Sequence, residues 1–156
     1  MNKHYKQLSG IVLAASCFAI FNSAAAESVH WCYAEEHCGP AVWGDLSEDF
    51  YLCKAGLKQT PINLYEQKEA ALPSLNAAYK NTPLTIKNNG HTIQVNYQSR
   101  SYLTVGSKKY QLLQFHFHTP SEHLKNGRAY PMEVHFVHAD DYGALGVVGV
   151  FLKESD

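Results

Sequence analysis

The sequence predicts a single, mainly β domain, and three observations carry that reading. From Leu84 onward, short stretches of alternating apolar and polar residues recur between turn signals, which is the period-two pattern of strands. The composition, 46% apolar with 12% aromatic residues, is enough to bury a core and excludes intrinsic disorder. The length, 156 residues, is close to that of one domain.

In chain order, Met1 to Ala26 reads as an export signal. Lys3 and Lys6 precede an apolar run from Ile11 to Phe21 that is too short to span a bilayer comfortably, and Ala24-Ala25-Ala26 offers a small-residue cleavage site. Glu27 is then the first mature residue and the domain spans 27–156. The product is expected in the periplasm or outside the cell, with no membrane anchor after cleavage. Export permits disulfides. Cys32 and Cys38, six apart beside Gly39-Pro40, can reach each other, which leaves Cys53 unpaired.

From Glu27 to about Gln59 the chain reads as irregular apart from one turn around Leu46 to Phe50. Glu66 to Tyr79 is expected to hold a short helix interrupted by Pro73. Leu84-Thr85-Ile86 leads through the turn Asn88-Asn89-Gly90 to a strand over His91 to Tyr97. Tyr102 to Val105, the turn Gly106-Ser107-Lys108 and Tyr110 to His118 read as a hairpin. Pro120 and Asn126-Gly127 break the chain before a strand from Met132 to Ala139, and a turn at Asp140 to Gly143 precedes the last strand, Leu145 to Leu152. That strand is so apolar that it is expected to be buried on both faces, with a neighbour on each side. Together with the unpaired Cys53, it reads as a chain that stops before its fold is complete.

Charge excludes one class of partner. Thirteen basic and fourteen acidic residues leave a net charge of -1, and Lys108-Lys109 is the only adjacent basic pair, so no stripe suits nucleic acid. Histidine is the unusual component, with nine in the chain. In Leu113-Gln114-Phe115-His116-Phe117-His118, strand alternation places Leu113, Phe115 and Phe117 on one face, and Gln114, His116 and His118 on the other. In Glu133-Val134-His135-Phe136-Val137, Glu133, His135 and Val137 share a face by the same rule. An antiparallel return of the second strand brings His135 beside His116 and His118. Three neutral imidazoles with one open position form the catalytic zinc pattern, and Gln114 and Glu133 sit where they can accept the second ring N–H of a ligand. His138 falls on the opposite face and is read as structural, as is His123 in the loop after Ser121-Glu122.

These segments carry a resemblance. Gln-Phe-His-Phe-His followed by Ser-Glu-His, and Met-Glu-Val-His-Phe-Val-His, resemble the two metal strands of the α-class carbonic anhydrases. His30-Trp31-Cys32-Tyr33, Gln59-Thr60-Pro61-Ile62-Asn63, Asn88-Asn89-Gly90-His91 and Gly149-Val150-Phe151-Leu152 resemble further motifs of that family in the same order. The similarity runs from His30 to Lys153 and covers somewhat more than the first half of the family's domain. It implies an α+β roll around a large twisted sheet, mixed but mostly antiparallel and truncated at the C-terminus.

It also implies a zinc lyase that reversibly hydrates carbon dioxide to bicarbonate and a proton by attack of zinc-bound hydroxide. His116, His118 and His135 match the zinc ligands, and Gln114 and Glu133 match the groups that hold them. Glu122 matches the carboxylate that accepts a hydrogen bond from a Thr hydroxyl, and His91 matches the proton shuttle. Tyr33, Asn89 and Gln94 match the polar funnel, and Val137 and Val147 the apolar wall where carbon dioxide rests. The chain ends before the segment in which the family carries that Thr, a Thr-Thr-Pro-Pro-Cys pattern whose Cys is the usual partner of the residue matching Cys53. Thr60 stands where Ser is usual, and Cys32 where Gly is usual.

Two rival readings follow. One is a non-catalytic zinc-binding remnant of such an enzyme. The other is a cupin, a metal protein whose first motif His116-x-His118-x3-Glu122 fits. The cupin pattern lacks its flanking Gly residues here, with Tyr110 and Ala129 in their places, and Glu133-x-His135 lies too close for its second motif.

Overall fold

The computed structural model describes residues 29–66 and 68–155; the export signal read over 1–26 lies outside them. Ten strands carry the fold: β1 (Asn63–Leu64), β2 (Leu75–Ala78), β3 (Ile86–Asn88), β4 (Ile93–Asn96), β5 (Tyr102–Val105), β6 (Lys108–His118), β7 (Leu124–Lys125), β8 (Arg128–Ala129), β9 (Met132–Ala139) and β10 (Leu145–Leu152). Seven of them form one large antiparallel sheet in the order β10-β9-β6-β4-β3. β5 follows β4 along the same edge of β6, and β2 lies beyond β5. The parallel pairing the resemblance implies is confined to a small second sheet, where β1 runs parallel to β7 and β7 pairs antiparallel with β8.

The expected hairpins form. β3 and β4 pair across a turn in which Gly90 takes φ 90°, a conformation that suits glycine. β5 and β6 meet through Gly106-Ser107, so that Lys108 opens the strand rather than closing the turn. Asn126-Gly127, read from sequence only as a break, takes φ 51° and 76° and joins β7 to β8 as a tight hairpin. Strands of two residues are too short to show a period.

Two expectations fail for related reasons. The segment read as irregular contains α1 (Trp43–Leu46), a 3-10 turn (Glu48–Phe50) and α2 (Tyr51–Ala55). Each is too short for helical periodicity, and side chains tie them together. Lys54 Nζ pairs with Asp45 Oδ1 at 2.7 Å, and Gln59 Nε2 donates to the carbonyls of Leu52 and Gly56. No helix forms among the described residues of the segment Glu66 to Tyr79 where one was expected, and Leu75–Ala78 is strand instead. Its local preference is weak, and pairing with β5 decides its conformation.

The register of β6 against β9 positions the site. His116 pairs directly with His135, His118 with Glu133, and Gln114 with Val137. Directly opposed residues share a face, so the imidazoles, Glu133, Gln114 and Val137 line one side of the sheet. The other side carries Phe115, Phe117 and Phe136, together with the buried Val95, Leu103, Leu112 and Val134. A bulge between Leu112 and Gln114 breaks the strict alternation. Leu112 takes the core position and Leu113, expected beside Phe115 and Phe117, is exposed.

The last strand also departs from expectation. β10 pairs with β9 along its whole length and has no other partner among the described residues. Leu145 and Val147 are more than half exposed, at 67% and 54%, so the strand is not buried on both faces.

Candidate metal centre

The three histidines of β6 and β9 converge. One ring nitrogen from each of His116, His118 and His135 lies within 4.8 Å of the others, and the ring centroids are 4.6 to 5.3 Å apart. Hydrogen bonds decide which nitrogens face the common point. His116 Nδ1 donates to Gln114 Oε1 at 2.9 Å, which leaves its Nε2 as the donor atom for a metal. Glu133 Oε1 lies 2.9 Å from His135 Nε2. Glu122 Oε2 lies 3.4 Å from His118 Nε2 and 3.7 Å from His135 Nδ1, so these two nitrogens look toward the same space.

Burial and mutual proximity favour the neutral form of two of the rings. Burial, then the neighbouring His135 and His116, push His118 down to about 4 against the weaker pull of Glu133. Burial and His135 lower His116 as well. A neutral imidazole has a lone pair to give. His118 Nε2 is buried without a hydrogen-bond partner among the described residues, whereas His135 turns its Nε2 toward Glu133 Oε1, 2.9 Å away, which leaves Nδ1 for the shared space. A buried, unsatisfied lone pair is costly unless something binds it. Three imidazole nitrogens around one point are the donor set of a zinc site with an open position, so these residues fit that ion.

The carboxylates are held from the loop between β6 and β9. Ser121 is buried and donates to the His123 carbonyl, while its own Oγ accepts the Tyr130 N–H. This lacing fixes Glu122 and His123. The Glu133 carboxylate, 1% exposed, accepts the N–H groups of Glu122 and His123 at Oε2, each at 3.0 Å, and His123 Nδ1 at Oε1, at 2.7 Å. Burial alone would raise its pKa, but these hydrogen bonds, with the His135 ring close beside Oε1, hold it below the usual carboxylate range. Glu122 is raised, chiefly by burial, although His135 and Tyr33 oppose the shift. Tyr33 in turn is pushed up to about 12 by burial and by the adjacent Glu122.

The remaining sequence-predicted residues surround this centre. Tyr33 sets its ring edge-on to His118, with centroids 5.9 Å apart. It shares with His91, His118 and Glu122 a cleft of about 300 Å³. Gln94 pairs directly with His116, accepts from Asn89 Nδ2 at 3.3 Å and donates to Asn96 Oδ1 at 2.7 Å, making a polar row beside the imidazoles. Val137 and Val147 form a direct cross-strand pair next to His135. His138 is fully buried on the other face, where it donates from Nδ1 to the Gly146 carbonyl and accepts the Tyr79 hydroxyl at Nε2, 2.7 Å away. Its structural reading fits these contacts. The Cys32–Cys38 disulfide is present and Cys53 is free and exposed.

Three features escaped the sequence. Trp31 stacks flat on His91, with centroids 3.7 Å apart and planes 5° from parallel. The Trp43 indole N–H donates to the carbonyls of both disulfide cysteines, at 3.0 Å each, which fixes the loop that presents Trp31 and Tyr33. His123 holds Glu133 rather than only its own loop. Only the last had a signal, because a carboxylate buried on a strand face needs several donors and Ser121-Glu122-His123 was the nearest polar triplet.

Fold and site together define a β-sheet protein with three histidines on neighbouring antiparallel strands, placed where they could hold one metal ion. Comparison with known proteins narrows the class. The eukaryotic-type carbonic anhydrase family model matches residues 38–154. The carbonic anhydrase of Neisseria gonorrhoeae is 46% identical over 131 residues, covering 83% of this chain and 52% of that protein. The carbonic anhydrase of Nostoc sp. is 44% identical, covering 89% and 53%. Among solved structures, the α-carbonic anhydrase of Thermovibrio ammonificans, in complex with the inhibitor sulfanilamide, superposes with a TM-score of 0.78 at 43% identity over 82% of this chain and 57% of that one. This chain belongs to the eukaryotic-type, or α, carbonic anhydrase family. It spans about half the length of the curated relatives it matches.

Proposed function

We propose that this protein binds zinc through His116, His118 and His135, and catalyses the reversible hydration of carbon dioxide to bicarbonate and a proton after export to the periplasm or the cell exterior. The observation that carries the reading is the convergence of three ring nitrogens within 4.8 Å, one of them a buried His118 Nε2 with no hydrogen-bond partner among the described residues. When bound, zinc supplies Lewis acidity that ionises water near neutral pH, as is established for carbonic anhydrases.

The chain's own groups account for the other needs of the reaction. Gln114 fixes the His116 tautomer, and Glu133 restrains His135. The Val137–Val147 pair offers an apolar surface against which a small, nonpolar carbon dioxide can rest. Glu122, held by Tyr33, supplies an acceptor beside His118 to orient a hydrogen bond. The row Asn89, Gln94 and Asn96 provides donors and acceptors for ordered water. His91, in the cleft shared with His118, takes the proton and passes it to solvent. The export reading rests on the Lys3, Lys6 and Ala24-Ala25-Ala26 pattern. Among the described residues no helix is long and apolar enough to cross a membrane.

The test is a carbon dioxide hydration assay on zinc-loaded protein, with a sulfonamide as inhibitor control and His118→Ala as the variant. Sulfonamide-sensitive hydration, with one zinc per chain that His118→Ala abolishes, is expected. Unchanged zinc content in His118→Ala refutes the ligand set. Stoichiometric zinc without hydration leaves the non-catalytic zinc protein as the reading.

A further inference from the structure

We propose that Gly149 is a positioning residue: its missing side chain opens the notch into which the Glu133 carboxylate turns, and so sets the grip of the imidazoles on zinc. The inference rests on the reading that His116, His118 and His135 hold that ion. Gly149 pairs directly with His135 across β10 and β9, and Glu133 occupies the neighbouring position on the same face, opposite Phe151. A Cβ at position 149 would lie 2.5 Å from Glu133 Oε1 and 3.4 Å from His135 Cδ2. The first distance is far inside van der Waals contact.

The end of a glutamate side chain ordinarily swings aside at little cost. Here it is pinned from four directions. Two backbone N–H groups hold Oε2, the His123 ring holds Oε1, and His135 Nε2 lies 2.9 Å from that same oxygen. The residue is 1% exposed, so water does not replace a contact that is lost. Any rotation that clears a methyl group at 149 gives up at least one of these partners, and the contacts of Oε1 to His135 and His123 are the ones in its path. The other glycine of the strand interior behaves differently. Gly146 faces the opposite side, where an added Cβ first meets Tyr110 Cδ1 at 3.6 Å, an ordinary contact.

The test measures zinc affinity of purified protein by competition with a chromogenic chelator. Loss of a group that orients a ligand weakens metal binding by about 10- to 100-fold, and Gly149→Ala is expected in that range, whereas Gly146→Ala changes affinity by less than about threefold. In Glu133→Asp the shorter side chain no longer reaches position 149. Adding Gly149→Ala in that background is therefore expected to change affinity by less than about threefold, a non-additive result. An unaffected Gly149→Ala, or the same loss in both backgrounds, overturns the inference. Should Gly149→Ala fail to fold, recovery on adding Glu133→Asp supports it and continued failure overturns it. A parent protein that binds no zinc overturns the zinc reading and this inference with it, whereas a zinc-binding parent with an unaffected Gly149→Ala overturns the inference alone.

Discussion

Acid should destabilise the metal-free protein through His118, and the size of the effect follows from its surroundings. Burial, then the neighbouring His135 and His116, push this ring from 6.5 down to about 4, against the weaker pull of Glu133. Between those values the unfolded chain binds a proton that the folded chain refuses, so stability falls as pH falls through this window. At about 1.4 kcal/mol per pH unit, the full effect is about 3 kcal/mol, of which about 2 kcal/mol is lost between pH 7 and pH 4.5. Side-chain exposure of 8% leaves little solvent screening to reduce it. His116 and His138 are lowered too and act in the same direction, whereas the raised Glu122 acts against them. The assay is therefore a difference. Urea midpoints of the chelator-treated parent and of His118→Gln, which cannot titrate, are compared at pH 7 and pH 4.5. The parent is expected to lose about 2 kcal/mol more than the variant. NMR titration of the ring carbons should place the His118 transition well below 6.5. Equal losses in the two proteins, or a ring that titrates at its ordinary value, would refute the reasoning.

Two further outcomes probe the frame around the centre. Removing the Cys32–Cys38 disulfide with paired Ser substitutions should cost about 2 kcal/mol in urea unfolding, the loop-closure entropy of a short crosslinked loop; an unchanged midpoint refutes this. Tyr79→Phe should cost about 1–3 kcal/mol, because it leaves the buried His138 Nε2 without its one side-chain partner among the described residues, while zinc affinity stays at the parental level. A shift in zinc affinity would show that His138 communicates with the centre.

Much of the site was legible because strands impose a simple rule. With side chains alternating, His116 and His118 had to share a face with Gln114, and Glu133 with His135 and Val137. The strands Met132–Ala139 and Leu145–Leu152 fall where the apolar pattern and its turn signals place them. Leu113 was misplaced because a bulge adds one residue without leaving a mark in the composition. The short helices around Trp43–Ala55 and the strand Leu75–Ala78 were misread because three to five residues carry no usable period, and their conformation is set by distant partners.

The sequence by itself determined which side chains the two metal-bearing strands present together, since alternation is a local property of the extended backbone. Only the tertiary structure decided which ring stands opposite which. The register that pairs His116 with His135, the loop that aims two backbone N–H groups at Glu133, and the bare position at Gly149 all depend on residues distant in the chain. Pairing register and close approach are set by packing and hydrogen bonding between strands, and no single strand contains that information.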